Sequence, residues 1–194
     1  MAEPWDLEQA RLQERAEDVR RSLGLDEALG QLGTATLVGS AALGVMVARD
    51  VDVTVSVTAL GPDELLAISR LAASLAIHSA VREVRFRNDT GAWNIDANYP
   101  DGVYLGIECA DERGELWTFD IWFVDQPERQ PDLRHLREIA PRITPERQAA
   151  ILAIKWATMG RRPDGSRLPS YEIYAALAPL PSADARVTRS QPLR

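Results

Sequence analysis

Apolar residues follow two periodicities along this chain, and together they predict a mixture of strands and helices. Short runs that are rich in β-branched and aromatic residues, each bounded by turn-forming residues, are typical of strands. Five such runs are present: Thr34–Val38, 50–57, 81–87, 103–110 and 115–124. The last two are separated by the polar turn Asp111-Glu112-Arg113-Gly114, which predicts a β-hairpin.

Segments with apolar residues at the spacing of a helical turn predict amphipathic helices between and after these strands. The longest are 6–23, 63–79 and 145–159. Asp6, Asp63 and Thr144 stand where they can cap them. Shorter helical turns are predicted over 41–47, starting at Ser40, and over 171–177, capped by Ser170. The elements therefore predict an α+β chain.

The order of these elements divides the chain into four parts. Residues 1–33 form an N-terminal helical segment packed on the core, and 34–124 hold all five predicted strands. Residues 125–178 form a C-terminal helical part, whose stretch 126–142 is rich in Pro, Arg and Glu and is expected to be exposed, with room for one or two helical turns. Residues 179–194 are expected to be a disordered tail. A length of 194 residues suits one domain with a small helical appendage.

Charge and cysteine content limit the classes of function. The formal net charge of −7 argues against a protein that lives on nucleic-acid phosphates or anionic lipid. A single cysteine, Cys109, cannot form an internal disulfide, which suits a reducing compartment. The first residues carry no basic-then-apolar signal, and no apolar run approaches the length of a membrane span. We therefore expect a cytoplasmic protein without a membrane partner.

The candidate chemistry begins at the end of the first predicted strand. Gly39 and Ser40 follow an apolar run, and a glycine followed by a hydroxyl can turn tightly around a phosphate. Asp50 and Asp52 open the next strand and point the same way, because side chains alternate along a strand. Such a pair suits Mg²⁺. Alternatively, the glycine and serine form an ordinary strand-to-helix turn and the aspartates face solvent.

Asp120 lies in the middle of the bulky fifth strand, where an unpaired buried carboxylate would be costly. Either it reaches solvent on an open face of the sheet, or its partner is an arginine from the 81–87 strand or a cation shared with Asp50 and Asp52.

Lys155 is the only lysine among 22 basic residues, and it lies on the apolar helix 145–159. It either contacts a phosphate or extends its ammonium group to water.

The chain resembles the nucleotidyltransferase superfamily of the DNA polymerase β type, including its minimal and antibiotic-modifying members. The resemblance is carried, in chain order, by Gly39-Ser40, Asp50-Val51-Asp52 and the lone Asp120. The resemblance covers about 34–124. It implies a mixed β-sheet of about five strands with helices packed on one face.

The resemblance also implies a set of roles. Asp50, Asp52 and Asp120 would be the metal ligands and catalytic residues, holding Mg²⁺, with two ions when the triphosphate is bound. Gly39 and Ser40 would hold a nucleoside triphosphate, most readily ATP, and we assign Lys155 to its phosphates. A nucleoside monophosphate would pass to a hydroxyl group of a small molecule or of a partner macromolecule. Given the negative charge, the acceptor is expected to be a small molecule rather than a nucleic acid.

Two departures from the family pattern support an alternative. Minimal members often carry an arginine two or three residues after the serine, where this chain has Ala42 and Leu43. They often have a serine before the first aspartate, where this chain has Arg49. The alternative is therefore a catalytically inactive nucleotidyltransferase-like module that senses nucleotide or binds a protein.

Overall fold

A five-stranded mixed sheet with strand order β1-β2-β5-β4-β3 organises the chain. The computed structural model describes residues 4–95, 100–166 and 168–177. The strands are β1 (Thr34–Val38), β2 (Asp50–Ser56), β3 (Val81–Asp89), β4 (Gly102–Ala110) and β5 (Leu116–Val124). β2 and β5 run parallel, and the other neighbouring pairs are antiparallel. The predicted α+β class and mixed sheet are confirmed.

Seven helices accompany the sheet in the described residues. They are α1 (Pro4–Ser22), α2 (Leu25–Leu32), α3 (Gly39–Leu43), α4 (Pro62–Ala76), α5 (Pro131–Ile139), α6 (Pro145–Thr158) and α7 (Ser170–Leu177). A 3₁₀ turn, Ala140–Arg142, follows α5. The tail predicted to be disordered, 179–194, lies outside the described residues. None of the helices described is long and apolar enough to cross a membrane.

The alternation of apolar residues along β5 decides which way its side chains face. Trp117, Phe119, Ile121 and Phe123 are fully buried in the main core, together with apolar residues of α1, α2 and α4. Side chains alternate along a strand, so Asp120 must lie on the opposite face of the sheet. The layer of helices expected on one face of the sheet is therefore present, and Asp120 lies on the face opposite to α1, α2 and α4.

A second apolar cluster holds the C-terminal helices together. It consists of Val45, Ile139, Ile151, Leu152, Ile173 and Tyr174. Val45 comes from the segment that follows α3, and the other members belong to α5, α6 and α7. These helices are thereby held next to the loop that joins β1 to β2.

The structure differs from the sequence-based prediction at three elements. The stretch 126–142 was expected to be exposed with one or two helical turns; it contains the nine-residue α5, but its Gln130, Leu133 and Ile139 are buried. Helix α3 ends at Leu43 because Gly44 adopts a left-handed conformation (φ 66°). Helix α4 begins one residue before Asp63, and the Gly61 N–H donates to the Glu64 carboxylate at 3.1 Å.

Candidate active site

Strand pairing brings the three predicted aspartates onto neighbouring strands. In the parallel β2–β5 register, Asp52 is opposite Asp120 and Asp50 is opposite Thr118. Val51 and Val53, the alternate residues of β2, are buried on the helix-covered side. Asp50, Asp52 and Asp120 therefore share the other face of the sheet, on strands that lie about 4.8 Å apart.

The turn at Gly39 lies directly beside Asp52. β1 pairs with β2 so that Val38 is opposite Asp52, and the chain then turns at Gly39 with φ 59°. Only glycine adopts this left-handed conformation without strain. A Cβ at Gly39 would also collide with the Asp52 carboxylate. Two independent constraints therefore require glycine here, and both keep the backbone of the turn close to the aspartates.

The grouping of carboxylates changes the acidity of Asp52. Burial, followed by the negative charges of Asp50 and Asp120, raises the pKa of Asp52 to about 7. The ammonium group of Lys155 acts in the opposite direction but does not outweigh them. The site therefore carries an excess of negative charge that a bound cation would neutralise.

Two of the carboxylates accept hydrogen bonds from neutral hydroxyl groups. Thr118 Oγ1 donates to Asp50 Oδ1 at 2.7 Å, and the Tyr104 hydroxyl donates to Asp120 Oδ1. Two of the three arginines of β3 pair with other carboxylates, Arg85 with Glu83 and Arg87 with Asp89. The partner that the structure gives to Asp120 is thus a tyrosine, which the sequence did not indicate.

The three aspartate carboxylates are of the kind that binds magnesium, but they do not form a ready-made metal site. Within the part of the chain that the structure describes, no three His, Cys, Asp or Glu side chains form a ready-made metal cluster. Carboxylate oxygens on one sheet face are the ligands that Mg²⁺ prefers, and the raised pKa of Asp52 reflects burial first and the negative charges of Asp50 and Asp120 second. The residues therefore fit the expected ion in kind and charge.

Lys155 is buried near the carboxylates and does not extend to water. Its side chain is 6% exposed, and its ammonium group donates to the Val45 carbonyl at 2.7 Å and the Tyr174 hydroxyl at 3.1 Å. Burial lowers its pKa to about 8, while the charges of Asp52 and Asp50 oppose that shift. Lys155 therefore lies within the electrostatic reach of the aspartates.

Two adjoining cavities open onto this cluster. The basic cavity, about 400 Å³, is lined by Ser40, Asp50, Lys155, Met159, Arg161 and Ser170 among others. The acidic cavity, about 260 Å³, is lined by Gly39, all three aspartates, Asp132, His135, Tyr171 and others. Ser40, Asp50 and Ser170 belong to both. Every predicted site residue thus lines or adjoins one connected region.

Sequence reasoning missed several residues of this region. Asp132 and His135 lie on α5, which was expected to be exposed, and the His135 ring stacks on Tyr171 with centroids 6.0 Å apart. Ser170, the first residue of α7, was taken only as a helix cap. No motif marks these residues, because only the packing of α5 and α7 brings them to the sheet.

Comparison with known proteins defines the class of fold. No family model matches the sequence, and no curated protein matches it. The fold is nucleotidyltransferase-like, on the evidence of a similar solved structure.

That structure is described as "Structural Basis for the Activity of a Cytoplasmic RNA Terminal U-transferase". It is 15% identical in sequence, with a TM-score of 0.50, and the match covers 88% of this chain. The match covers 52% of the other chain, so this chain corresponds to about half of it. At this identity the likeness concerns the fold alone.

Proposed function

We propose that this protein is a magnesium-dependent nucleotidyltransferase, which transfers a nucleoside monophosphate from a nucleoside triphosphate to a hydroxyl group. The observation that carries the proposal is the register that sets Asp52 opposite Asp120, with Asp50 on the same face and the Gly39 turn beside them. Phosphoryl transfer depends mainly on positioning and charge neutralisation, and this arrangement is suited to both.

Asp50, Asp52 and Asp120 are the residues that would hold magnesium. The ion supplies charge neutralisation at the oxygens of the reacting phosphate. The raised pKa of Asp52 supports this assignment, since a cation between the carboxylates would offset both the burial that mainly raises it and the added repulsion from Asp50 and Asp120.

The basic cavity is suited to the triphosphate. Among the described residues that line it, Lys155 and Arg161 are cationic, and Ser40 and Ser170 supply hydroxyl groups. Pyrophosphate would remain here after the bond between the α-phosphorus and its bridging oxygen breaks. We take ATP as the first donor to test, and the stacked rings of His135 and Tyr171 offer a flat surface for its base.

The acceptor hydroxyl would lie near Asp120. The carboxylate of Asp120 would accept the hydroxyl proton while the acceptor oxygen forms its bond to the α-phosphorus. The net charge of −7 and the acidic lining favour a small acceptor over a long nucleic acid. Because the similar structure is of an RNA terminal U-transferase, a short RNA belongs in the acceptor panel.

The test is transfer of label from the four α-labelled nucleoside triphosphates, with Mg²⁺, to a panel of small hydroxyl compounds and a short RNA. We expect Asp52→Asn and Asp120→Asn to lower the rate about a hundredfold or more, because each removes transition-state charge stabilisation. Asp63→Asn makes the same change at an exposed position on α4 and should keep full activity. Wild-type protein without transfer to any acceptor would contradict the proposal.

One observation favours the non-catalytic alternative. Ala42 and Leu43 stand where the resembling family often has an arginine, so cations are few around the expected phosphate position. A nucleotide-sensing module would bind Mg²⁺ and triphosphate without turnover, and Asp120→Asn would not weaken that binding.

A further inference from the structure

We propose that Tyr104 is a positioning residue for Asp120, and that Gly106 is required to let it act. This inference rests on the proposed function, because it concerns how one carboxylate of that site is held. It adds two residues of β4 to a group of carboxylates that the sequence places on β2 and β5.

The register of β4 and β5 explains how the contact arises. Gly106 is directly opposite Asp120, and Tyr104 is opposite Trp122, so Tyr104 is diagonal to Asp120 on the same face. Such diagonal neighbours are about 7–8 Å apart, within reach of a long aromatic side chain. Because Gly106 has no side chain, the phenol passes over it, and its hydroxyl donates to Asp120 Oδ1.

The space above Gly106 is filled by the tyrosine itself. A Cβ added at Gly106 would lie 2.6 Å from Tyr104 Oη and 3.0 Å from its Cζ. Any other residue at this position would therefore push the phenol away from Asp120. The glycine is explained by this close approach.

The tyrosine ring is also held by neighbouring side chains. The guanidinium group of Arg87 lies 5.1 Å from the centre of the Tyr104 ring and 5.3 Å from that of Trp122. The two aromatic rings contact each other with centroids 5.3 Å apart. Arg87 is itself held by its ion pair with Asp89. The hydroxyl is therefore aimed at Asp120 by a packed group rather than by a freely rotating side chain.

A phenol suits this task better than an arginine would. It orients one carboxylate oxygen without cancelling the carboxylate charge, so that charge stays available to a metal ion and to the acceptor proton. A phenol ordinarily keeps its proton at neutral pH, so the Tyr104 hydroxyl is a hydrogen-bond donor there.

The first arm of the test compares Tyr104→Phe with Gly106→Ala in the transfer assay. Both should lower kcat about tenfold or more and leave the KM for the triphosphate unchanged, because the triphosphate is expected in the basic cavity, whose described lining includes neither Tyr104 nor Asp120. The double variant should be no worse than either single variant, since both changes break the same contact. Gly30→Ala is the matched control, as its added methyl meets nothing within 4 Å.

The second arm needs no turnover. Mn²⁺ is titrated in the presence of a non-hydrolysable triphosphate analogue and followed by electron paramagnetic resonance. Tyr104→Phe should weaken Mn²⁺ binding several-fold, and Asp120→Asn should weaken it more. A merely structural role for Tyr104 would lower the melting temperature and leave Mn²⁺ affinity unchanged.

The outcomes separate the two proposals. If the wild-type chain binds Mn²⁺ but transfers nothing, the proposed function fails, and the Mn²⁺ arm still decides the role of Tyr104. A kcat for Tyr104→Phe within twofold of wild type, losses that multiply in the double variant, or unchanged Mn²⁺ affinity would overturn the positioning role. Wild-type protein that binds no Mn²⁺ would overturn both.

Discussion

Asp52 is closely packed in the candidate site and also has a strongly raised pKa. It faces Asp120 across the parallel strand pair, and its carboxylate lies against the backbone of Gly39. Burial and neighbouring charges raise its pKa to about 7 from an ordinary value of 3.8. A strongly shifted pKa within a group of carboxylates is typical of functional sites.

The raised pKa of Asp52 predicts a stability change with a defined sign. Between pH 3.8 and about 7 the folded state holds a proton on Asp52 that the unfolded state has lost, so this contribution to stability falls as the pH rises through that window. Asp52→Asn should therefore raise the melting temperature at pH 8 and change it little below pH 4. Thermal melts followed by circular dichroism without divalent cations would check this.

Mg²⁺ gives the control for that measurement. It should stabilise the wild-type protein at pH 8 and have little effect on Asp52→Asn. A variant that melts below wild type at pH 8 would show that the Asp52 carboxylate is not under electrostatic strain.

At the scale of elements, one ion-pair network fixes the start of β2. Arg15 of α1 pairs with Asp111 and Glu115 in the β4–β5 turn region, and Glu115 also pairs with Arg49. Arg49 immediately precedes Asp50, so α1 and the hairpin turn together anchor the strand that carries two of the candidate ligands. This explains an arginine where the resembling family often has serine.

The network predicts an acid-dependent loss of stability. Burial on its own would raise the pKa of Asp111, but hydrogen bonds from Arg15 and Trp117 outweigh it and lower the pKa to about 2. The stabilisation is therefore complete above the ordinary value of 3.8 and is lost as the pH falls towards 2. Asp111→Asn should melt at a lower temperature than wild type at pH 7, and the difference should shrink between pH 4 and pH 2.

Glu112→Gln is the matched control for this experiment, because it removes an exposed carboxylate from the same turn. It should leave the melting temperature within about a degree or two of wild type, as surface charges contribute little. If Glu112→Gln lowered the melting temperature as much as Asp111→Asn, the loss of stability would come from the change in net charge and not from the ion-pair network.

At the scale of the whole molecule, the candidate site lies where two apolar clusters meet. The main core holds the sheet with α1, α2 and α4, and the second cluster holds α5, α6 and α7 with Val45. Lys155 spans from α6 to the Val45 carbonyl and to Tyr174 of α7. A ligand in the basic cavity would contact both parts and should stabilise their packing.

This arrangement predicts that Mg²⁺ and a nucleoside triphosphate together raise the melting temperature. A ligand at a hundred times its Kd stabilises a fold by about 2.7 kcal/mol, and the four triphosphates would be compared by thermal shift. Lys155→Met should abolish the shift, since it removes the buried ammonium group while keeping a similar volume. Arg70→Met, at an exposed position on α4, should keep the thermal shift. If Arg70→Met also lost the shift, the cause would be a general change of charge rather than the loss of the Lys155 ammonium group.

Much of the secondary structure was predictable because it depends on local patterns. β1 has the predicted bounds, and the hairpin of β4 and β5 lies where the turn-forming residues indicated. The prediction was wrong for 126–142, because its polar composition concealed that Gln130, Leu133 and Ile139 become buried. The roles of the three aspartates, Gly39, Ser40 and Lys155 stay predictions.

The sequence by itself determined that Asp120 and the apolar residues of its strand face opposite ways, since alternation is a property of any single strand. It also placed Asp50 and Asp52 on one face and a glycine turn before them. Only the tertiary structure decided that Asp52 is opposite Asp120, that Gly106 lets Tyr104 reach that carboxylate, and that Lys155 is buried beside the site. These contacts join distant parts of the chain, and their register depends on how whole strands and helices pack rather than on any local pattern.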